Sequence, residues 1–269
     1  MKSMDEKARQ ELQGLREYVR GLLDLTKEMT LRIETVPYFE DEHLGFLARC
    51  FLSKQIDHLQ SIEILIPRRD AILVARSMIE GLCQLLWIAE DPNTRALQWR
   101  AFAVVHDWRL MHNKIESGET VDPQKRANIE YALQQYGERF LTISARKKRS
   151  EYRPLPSDPY YKNWRSEQSI LDMCKSAGVE DLYRELYVPY ADWQHWGPSA
   201  FGRAIKREED QVVYSQQLQP PELATVLRVG FQCLLQTAEL TDSHLNIGLE
   251  PKISKLRDEY IEWLSKECE

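Results

Sequence analysis

Apolar residues recur every three or four positions along most of this chain, and that spacing constrains its fold more than any other feature. Between about residues 5 and 30, for example, Leu15, Val19 and Leu22 fall on one helical face. We find no segment that alternates apolar and polar residues as a half-buried strand does, and no Asn-Gly or Asp-Gly hairpin turn. The sequence therefore predicts an all-α fold, a single helical bundle with a long connecting loop.

Prolines and capping residues divide this pattern into successive helices. One periodic segment runs from about residue 40 until Pro67 interrupts it. The next, RRDAILVARSMIEGLCQLLWIAED, is the most apolar and is expected to be the central helix, ending before Pro92. Asp122 followed by Pro123 predicts another helix start, with the aspartate as N-cap.

The domain prediction follows from length and from the lack of a flexible linker. The chain has 269 residues, enough for one large domain with a sizeable core. The proline-rich stretch SEYRPLPSDPYYKNWRSEQS is typical of a long ordered connection. We expect one all-helical domain over residues 1–269, in which residues 1–35 form a peripheral N-terminal helix.

Composition and cysteine spacing exclude several classes of site. The formal net charge is −6, without the overall basic excess of a nucleic-acid-binding protein. Five cysteines lie far apart, without a CxxC pair, which argues against a zinc site and against a disulfide framework. No signal peptide or 18-residue apolar run occurs. These features predict a reduced, cytoplasmic protein with no membrane partner, no metal and no cofactor.

One strongly basic run, ARKKRSEYR, covers residues 145–153. Lysine and arginine suit the C-terminal end of a helix, where they face the negative end of its dipole. A short cationic cluster also suits contact with phosphate groups. The sequence leaves both interpretations open.

The central helix carries two charges one turn apart, Arg76 and Glu80, in an otherwise apolar stretch. A buried arginine must be paired or must face a polar cavity, because burying its charge alone is too costly. Glu80 is its nearest available partner. The pair is either an intrahelical ion pair that orients the core or part of a pocket wall.

The segment RAFAVVH, from Arg100 to His106, matches in form the arginine–histidine signature of HEPN-type ribonucleases. Six residues turn a continuous helix by about 240°, which separates the two side chains by about 120°. Core packing explains this segment equally well, so we place no catalytic residue here.

The stretch YADWQHWGPSAFG offers a more specific arrangement. Asp192 precedes His195 by three residues, a spacing at which an acid can hold one imidazole nitrogen and raise the histidine pKa. Trp193 and Trp196 flank the histidine, and Gly-Pro then ends the helix and frees Ser199 to cap the next. The stretch is either a packed corner with a satisfied histidine or the wall of a site with a general base.

Residues about 40–205 resemble a bacterial all-helical family, the domain of unknown function numbered 5677. The resemblance is carried by VARSMIEGLCQLLWIAEDP, RAFAVVHDWRLMH and NWRSEQSILDMCKSAGVEDLYRELYVPYADWQHWGPSAF. The family pattern falls on Arg76, Glu80, Trp164, Tyr187, His195 and Ser199. This chain departs from it at Ala191, where the family usually has a serine, and at RSEQS after the tryptophan.

The resemblance implies a distant relation to HEPN helical bundles, whose active members are dimeric, metal-independent ribonucleases, and to defence or toxin systems. Together with the residues selected above, it gives an expected catalytic set of Arg76, Glu80 and His195. The expected binding set is Asp192, Tyr187, Trp164, Ser199 and Trp196, of which Asp192 and Trp196 come from the stretch YADWQHWGPSAFG rather than from the family pattern. RNA, a protein encoded by a neighbouring gene and a second copy of the chain are then the expected partners. The alternative is a non-catalytic helical module that binds a partner protein or a small ligand in the same polar pocket.

Overall fold

The computed structural model describes residues 4–37, 39, 41–148, 151–155, 157–195, 197–208, 211–215 and 217–267. Helices dominate them, which confirms the all-α prediction. The α-helices in this part of the chain are α1 (Met4–Ile33), α2 (His43–Leu65), α3 (Ala71–Glu90), α4 (Leu97–Glu116), α5 (Pro123–Tyr136), α6 (Ile143–Arg146), α7 (Ile170–Ser176), α8 (Val188–Gln194), α9 (Pro198–Ala204), α10 (Pro220–Leu245) and α11 (Glu250–Glu267). Pro92–Ala96 and Leu182–Tyr187 form π-helical turns, and Gly137–Phe140 forms a 3₁₀ turn.

The chain packs into two compact units. The larger contains residues 1–87 and 170–269, and the smaller contains residues 88–169. Each unit has its own cluster of buried apolar side chains. The sequence contains no linker signal at either point where the chain passes from one unit to the other. The chain leaves the larger unit inside the continuous helix α3 and returns to it directly before α7.

In the larger unit, α10 packs against both α1 and α2. Gly230 permits the close approach to α2, because a Cβ at this position would lie 2.8 Å from Leu59 Cδ1. The N-terminal helix α1 is not peripheral, since Leu15 and Val19 are completely buried. Its amphipathic pattern supplies one wall of this core rather than a detached arm.

In the smaller unit, α4 and α5 pack together over a core that includes Val105, Leu133 and Phe140. Asp122 caps α5 as predicted, because its carboxylate accepts a hydrogen bond from the Lys125 backbone N–H at 2.8 Å. Pro123 occupies the first turn of the same helix.

A short antiparallel hairpin corrects the prediction that no strand is present. Strands β1 (Ile205–Glu208) and β2 (Gln211–Tyr214) pair with Ile205 opposite Tyr214. All four side chains of β2 are exposed. A strand with no buried face has no reason to alternate apolar and polar residues, so the sequence pattern could not reveal it.

A disulfide between Cys83 of α3 and Cys174 of α7 corrects the prediction that the cysteines are unpaired. Their Cα atoms lie 5.2 Å apart, although the two residues are 91 positions apart in the sequence. That proximity is a consequence of helix packing, and no local spacing indicates it. Among the other described cysteines, Cys50 is exposed and Cys233 is buried.

Helix α3 is long and apolar enough to cross a membrane by length and composition alone. However, 56% of its most apolar window is buried inside the structure. A core helix passes the same test, so this feature by itself indicates no membrane segment.

Candidate functional site

Arg76 and Glu80 of α3 meet Tyr187, which lies eight residues before His195 in the sequence. Arg76 Nη2 donates to the Tyr187 hydroxyl at 2.6 Å, and that hydroxyl donates to Glu80 Oε2 at 3.1 Å. The guanidinium also lies over the tyrosine ring, 4.3 Å from its centroid, and its Nη1 is 3.8 Å from Glu80 Oε2. Three residues of the predicted site therefore form one network in the larger unit.

Burial keeps the phenol of Tyr187 neutral. Desolvation and the nearby Glu80 carboxylate together raise the Tyr187 pKa to about 12, against the opposing effect of Arg76. The neutral hydroxyl can then accept from the guanidinium while it donates to the carboxylate. Tyr183 stacks on the same ring at a centroid distance of 5.0 Å. The network pairs Arg76 with Glu80 through the Tyr187 hydroxyl and holds the start of α8 against α3, while Arg76 Nε is buried without a hydrogen-bond partner among the described residues.

His195 is not part of the network of Arg76, Glu80 and Tyr187. It follows the last residue of α8 and is exposed. Tyr187 contacts Arg76, whereas Trp193 contacts Arg69, so the chain from Tyr187 onwards runs antiparallel to α3. Eight helical residues span about 12 Å, which carries His195 away from Arg76 and towards the first turn of α3. Among the described residues, no hydrogen bond or ion pair joins the His195 imidazole to Arg76 or Glu80.

The structure does not form the predicted pair of Asp192 and His195 within its described residues. Asp192 Oδ2 is buried and has no hydrogen-bond partner there. The carboxylate instead faces Gly197, where any Cβ would collide with it, and the Gly197 N–H donates to the Asp192 carbonyl at 2.8 Å. A three-residue helical spacing brings two side chains together only while the helix continues, and α8 ends at Gln194.

The remaining predicted residues occupy separate places. Ser199 is exposed near the start of α9, where Gly197 rather than Ser199 is the N-cap. Trp164 is buried in the smaller unit, and its carbonyl accepts a hydrogen bond from Gln98 at 2.7 Å. Trp196 lies outside the described residues.

Arg69 was not among the predicted site residues, but its side chain is held tightly beside Trp193. Its side chain is only 4% exposed and lies 3.3 Å from Glu222 Oε1 through Nη1. Its Nε donates to the Ser215 carbonyl at 3.1 Å, and its Nη2 donates to the Arg203 carbonyl at 3.3 Å. The guanidinium also lies 5.9 Å from the Trp193 ring centroid. Arg69 thus ties the ends of α9 and β2 to the start of α10.

A cleft of about 540 Å³ opens beside Arg69. Three aromatic rings follow one another along it: Trp193 and Phe201 have centroids 5.5 Å apart, and Phe201 and Tyr214 have centroids 6.2 Å apart. Its lining, which we call the aromatic cleft, comprises Arg68, Arg69, Asp70, Leu73, Trp193, Gln194, Phe201 and Tyr214. The volume lies within the range of small-molecule sites.

The charges of the aromatic cleft differ in their availability. Arg69 is engaged by its three acceptors, whereas Arg68 and Asp70 are exposed. The Arg68 guanidinium makes no hydrogen bond or ion pair with the described part of the chain. An arginine beside stacked rings can bind an acidic group while a flat ring of the same ligand lies against the aromatic residues.

The sequence contained a weak signal for this cleft. The dipeptide Arg68–Arg69 directly precedes α3, and Trp193 belongs to the aromatic stretch that the sequence analysis selected. Phe201 belongs to the same stretch, but its place beside Trp193 depends on the turn after α8, and Tyr214 gave no signal because it joins the cleft only through the hairpin. In the described residues, no group of three histidine, cysteine or acidic side chains is placed to hold a metal ion.

Comparison with known proteins identifies the family. Neither the curated proteins nor the solved structures include a match to this chain. A family model matches residues 45–212, more than half of the chain, and this segment contains Arg76, Glu80, Tyr187 and most of the aromatic cleft. The chain therefore belongs to the family of unknown function DUF5677.

Proposed function

We propose that this chain is a non-catalytic helical binding module whose aromatic cleft takes a small ligand with a flat ring and an acidic group. The aromatic cleft itself carries the proposal: a row of three rings with an exposed arginine at one side, in a space of ligand size. Gln194 supplies an amide that can orient a polar edge of the ring.

The arrangement of the other charges favours binding over catalysis. Arg76 and Glu80 are engaged with Tyr187, so neither is set beside a general base. General acid–base catalysis needs the acid or base within hydrogen-bond reach of the proton that it transfers, at a substrate position that the charge-stabilising group also reaches. Among the described residues, no hydrogen bond or ion pair joins His195 to Arg76.

Binding can be tested with nucleoside monophosphates and aromatic carboxylates, because both combine a flat ring with an acidic group. We expect at least one of them to bind the wild-type chain in isothermal titration calorimetry. Arg68→Ala should weaken that ligand about tenfold to a hundredfold, because it removes a charge-assisted hydrogen bond. Trp193→Ala should weaken it similarly through lost stacking.

Arg184→Ala is a matched control, since Arg184 is an exposed arginine of the larger unit that pairs with Glu180 outside the aromatic cleft. Its affinity should equal that of the wild type. A ligand that binds all four proteins equally, or no binding by any member of either class, would count against the proposal.

A second candidate is a metal-independent endoribonuclease that acts as an effector of a bacterial defence or toxin system. One observation favours it: the exposed His195 directly follows Gln194, which lines the aromatic cleft with Arg68. In this case the imidazole would move a proton while Arg68 neutralises phosphate charge. The chain would work in the cytoplasm as a homodimer, with RNA as substrate and a neighbouring-gene protein as its regulator.

Expression of the wild type and of His195→Ala distinguishes the two candidates. We expect equal growth of the host and equally intact RNA, because the binding module does not cleave. RNA cleavage by the wild type that His195→Ala lowers by a factor of about 10² to 10⁴, the usual contribution of a general base, would establish the nuclease instead. Light scattering on the same samples gives the oligomeric state.

A further inference from the structure

The smaller unit has a charge opposite to that of the rest of the chain. Residues 88–169 contain 14 lysines and arginines against 11 acidic residues, whereas the other residues contain 22 against 31. The excess is concentrated further: residues 139–165 contain eight basic residues and only two acidic ones. An acidic chain that concentrates its positive charge in one segment has the electrostatic footprint of a polyanion contact.

The fold gathers these cations at one end of the smaller unit. Arg146 Nη2 donates to the carbonyls of Arg139 and Leu141, both at 3.3 Å, which holds α6 against the 3₁₀ turn. The backbone N–H of Tyr161 donates to the Phe140 carbonyl at 2.8 Å, which brings the following Lys162 to the same place. We call the resulting group the basic surface: Arg139, Arg146, Lys147, Lys148 and Lys162.

Most of this charge is available to a partner. Arg146, Lys147, Lys148 and Lys162 are exposed. No member of the basic surface forms an ion pair with another described residue. The acids nearby in the sequence are Glu138, Glu151, Asp158 and Glu167, of which Glu167 accepts a hydrogen bond from the Tyr161 hydroxyl. Residues 138–167 contain eight basic residues against these four, which leaves a positive excess.

An exposed aromatic ring lies beside the cations. Tyr136 ends α5 and is 38% exposed, and the Arg139 guanidinium lies 5.6 Å from its ring centroid. A basic surface that borders an exposed ring suits unpaired bases, which stack on aromatic rings while lysine and arginine contact the phosphates. Base pairs in a duplex are already stacked and cannot use the ring in this way.

We propose that the basic surface of the smaller unit binds single-stranded nucleic acid through its phosphate backbone. This proposal is independent of the aromatic cleft, which lies in the larger unit, and requires no cleavage of the strand. In this proposal Lys147 and Lys148 of the run ARKKRSEYR contact phosphate groups, since both follow the end of α6 at Arg146 and are exposed.

Fluorescence anisotropy of a labelled oligouridylate with the full chain tests this proposal. Binding should weaken with salt, with a slope of log K against log salt of about −3.5 if all five cations contact phosphates, since each contributes about 0.7 on a single strand. The double variant Lys147→Glu/Lys148→Glu should lose at least about tenfold in affinity, and its slope should be shallower by about 1.4. Tyr136→Ala should weaken binding without changing the slope.

Lys114→Glu/Lys125→Glu provides the matched control. It changes the charge of the same unit equally, but at the opposite end of the α4–α5 pair, where α4 ends and α5 begins. We expect less than about a threefold loss. Equal losses in the two double variants would overturn the proposal, as would the absence of oligouridylate binding or binding only to duplex or to anionic vesicles.

Two further samples keep the result interpretable. Circular dichroism spectra of the double variants should match that of the wild type, because all four lysines are exposed. If the glutamate pair fails to fold, Lys147→Gln/Lys148→Gln replaces it, with the same change in slope expected. Trp193→Ala in the larger unit should bind oligouridylate normally, so a failure of the aromatic cleft proposal would be recognised separately.

Discussion

Reduction of the disulfide between Cys83 and Cys174 is expected to lower the free energy of unfolding by about 4 kcal/mol. The bond closes a loop of roughly 90 residues, and in the chain-entropy account a loop near that length loses about 4 to 5 kcal/mol of unfolded-state freedom. Both cysteines are completely buried, so the packing around them persists after reduction. Urea unfolding of the oxidised chain and of the chain with reductant measures the difference.

The double variant Cys83→Ala/Cys174→Ala should unfold at the urea concentration of the reduced wild type and should not respond to reductant. Cys50→Ser is the control, because Cys50 is exposed and is neither end of this bond, and this variant should keep the full difference between oxidised and reduced forms. Equal midpoints for the oxidised and reduced wild type, or two additional free thiols in the untreated chain by mass spectrometry, would contradict the bond.

Substitution of Arg69 by methionine is expected to lower the free energy of unfolding by about 3 kcal/mol, the lower end of the cost of breaking a buried ion pair. The change removes the donors to the Ser215 and Arg203 carbonyls and leaves Glu222 Oε1 without its charged partner, while Glu222 Oε2 still accepts from the Gln219 backbone N–H. Glu222 is 35% exposed, so water recovers part of the loss. Urea unfolding measures this change, and hydrogen exchange should show lost protection in the hairpin.

Arg68→Met is the neighbouring control. Arg68 is exposed, so its removal should change stability by less than about 0.5 kcal/mol. In the double variant Arg69→Met/Glu222→Gln, the two losses should be less than additive, because the first substitution has already removed the interaction. Additive losses, or equal effects at Arg68 and Arg69, would show that Arg69 does not hold these segments together.

Much of the secondary structure could be predicted from the residues because helices are local. The stop at Pro67, the aspartate cap before Pro123 and the apolar character of α3 depend on neighbours within one or two turns. The hairpin of β1 and β2 could not be predicted, because it depends on pairing between strands rather than on a local pattern. Its strands are stabilised by pairing with each other, and the exposed side chains of β2 carry no burial pattern.

The candidate site shows the same division. Arg76 and Glu80 could be selected from sequence, because two charges in an apolar helix require a partner. His195 could be selected as unusual but not located, since its position depends on the direction in which α8 runs along α3. Because α8 runs in that direction, the arginine near Trp193 is Arg69 and not Arg76.

By itself, the sequence determined that this chain is helical, where several helices begin and end, and that Arg76 must find a partner. Tertiary structure alone decided that the partner is Tyr187 as well as Glu80, that Cys83 meets Cys174, and that three rings line one cleft. The physical reason is range. Propensity, capping and periodicity act within a few residues. These contacts instead join residues about 90 to 110 positions apart in the sequence, or elements brought together by turns. Only the packing of the helices decides which of these residues meet in space.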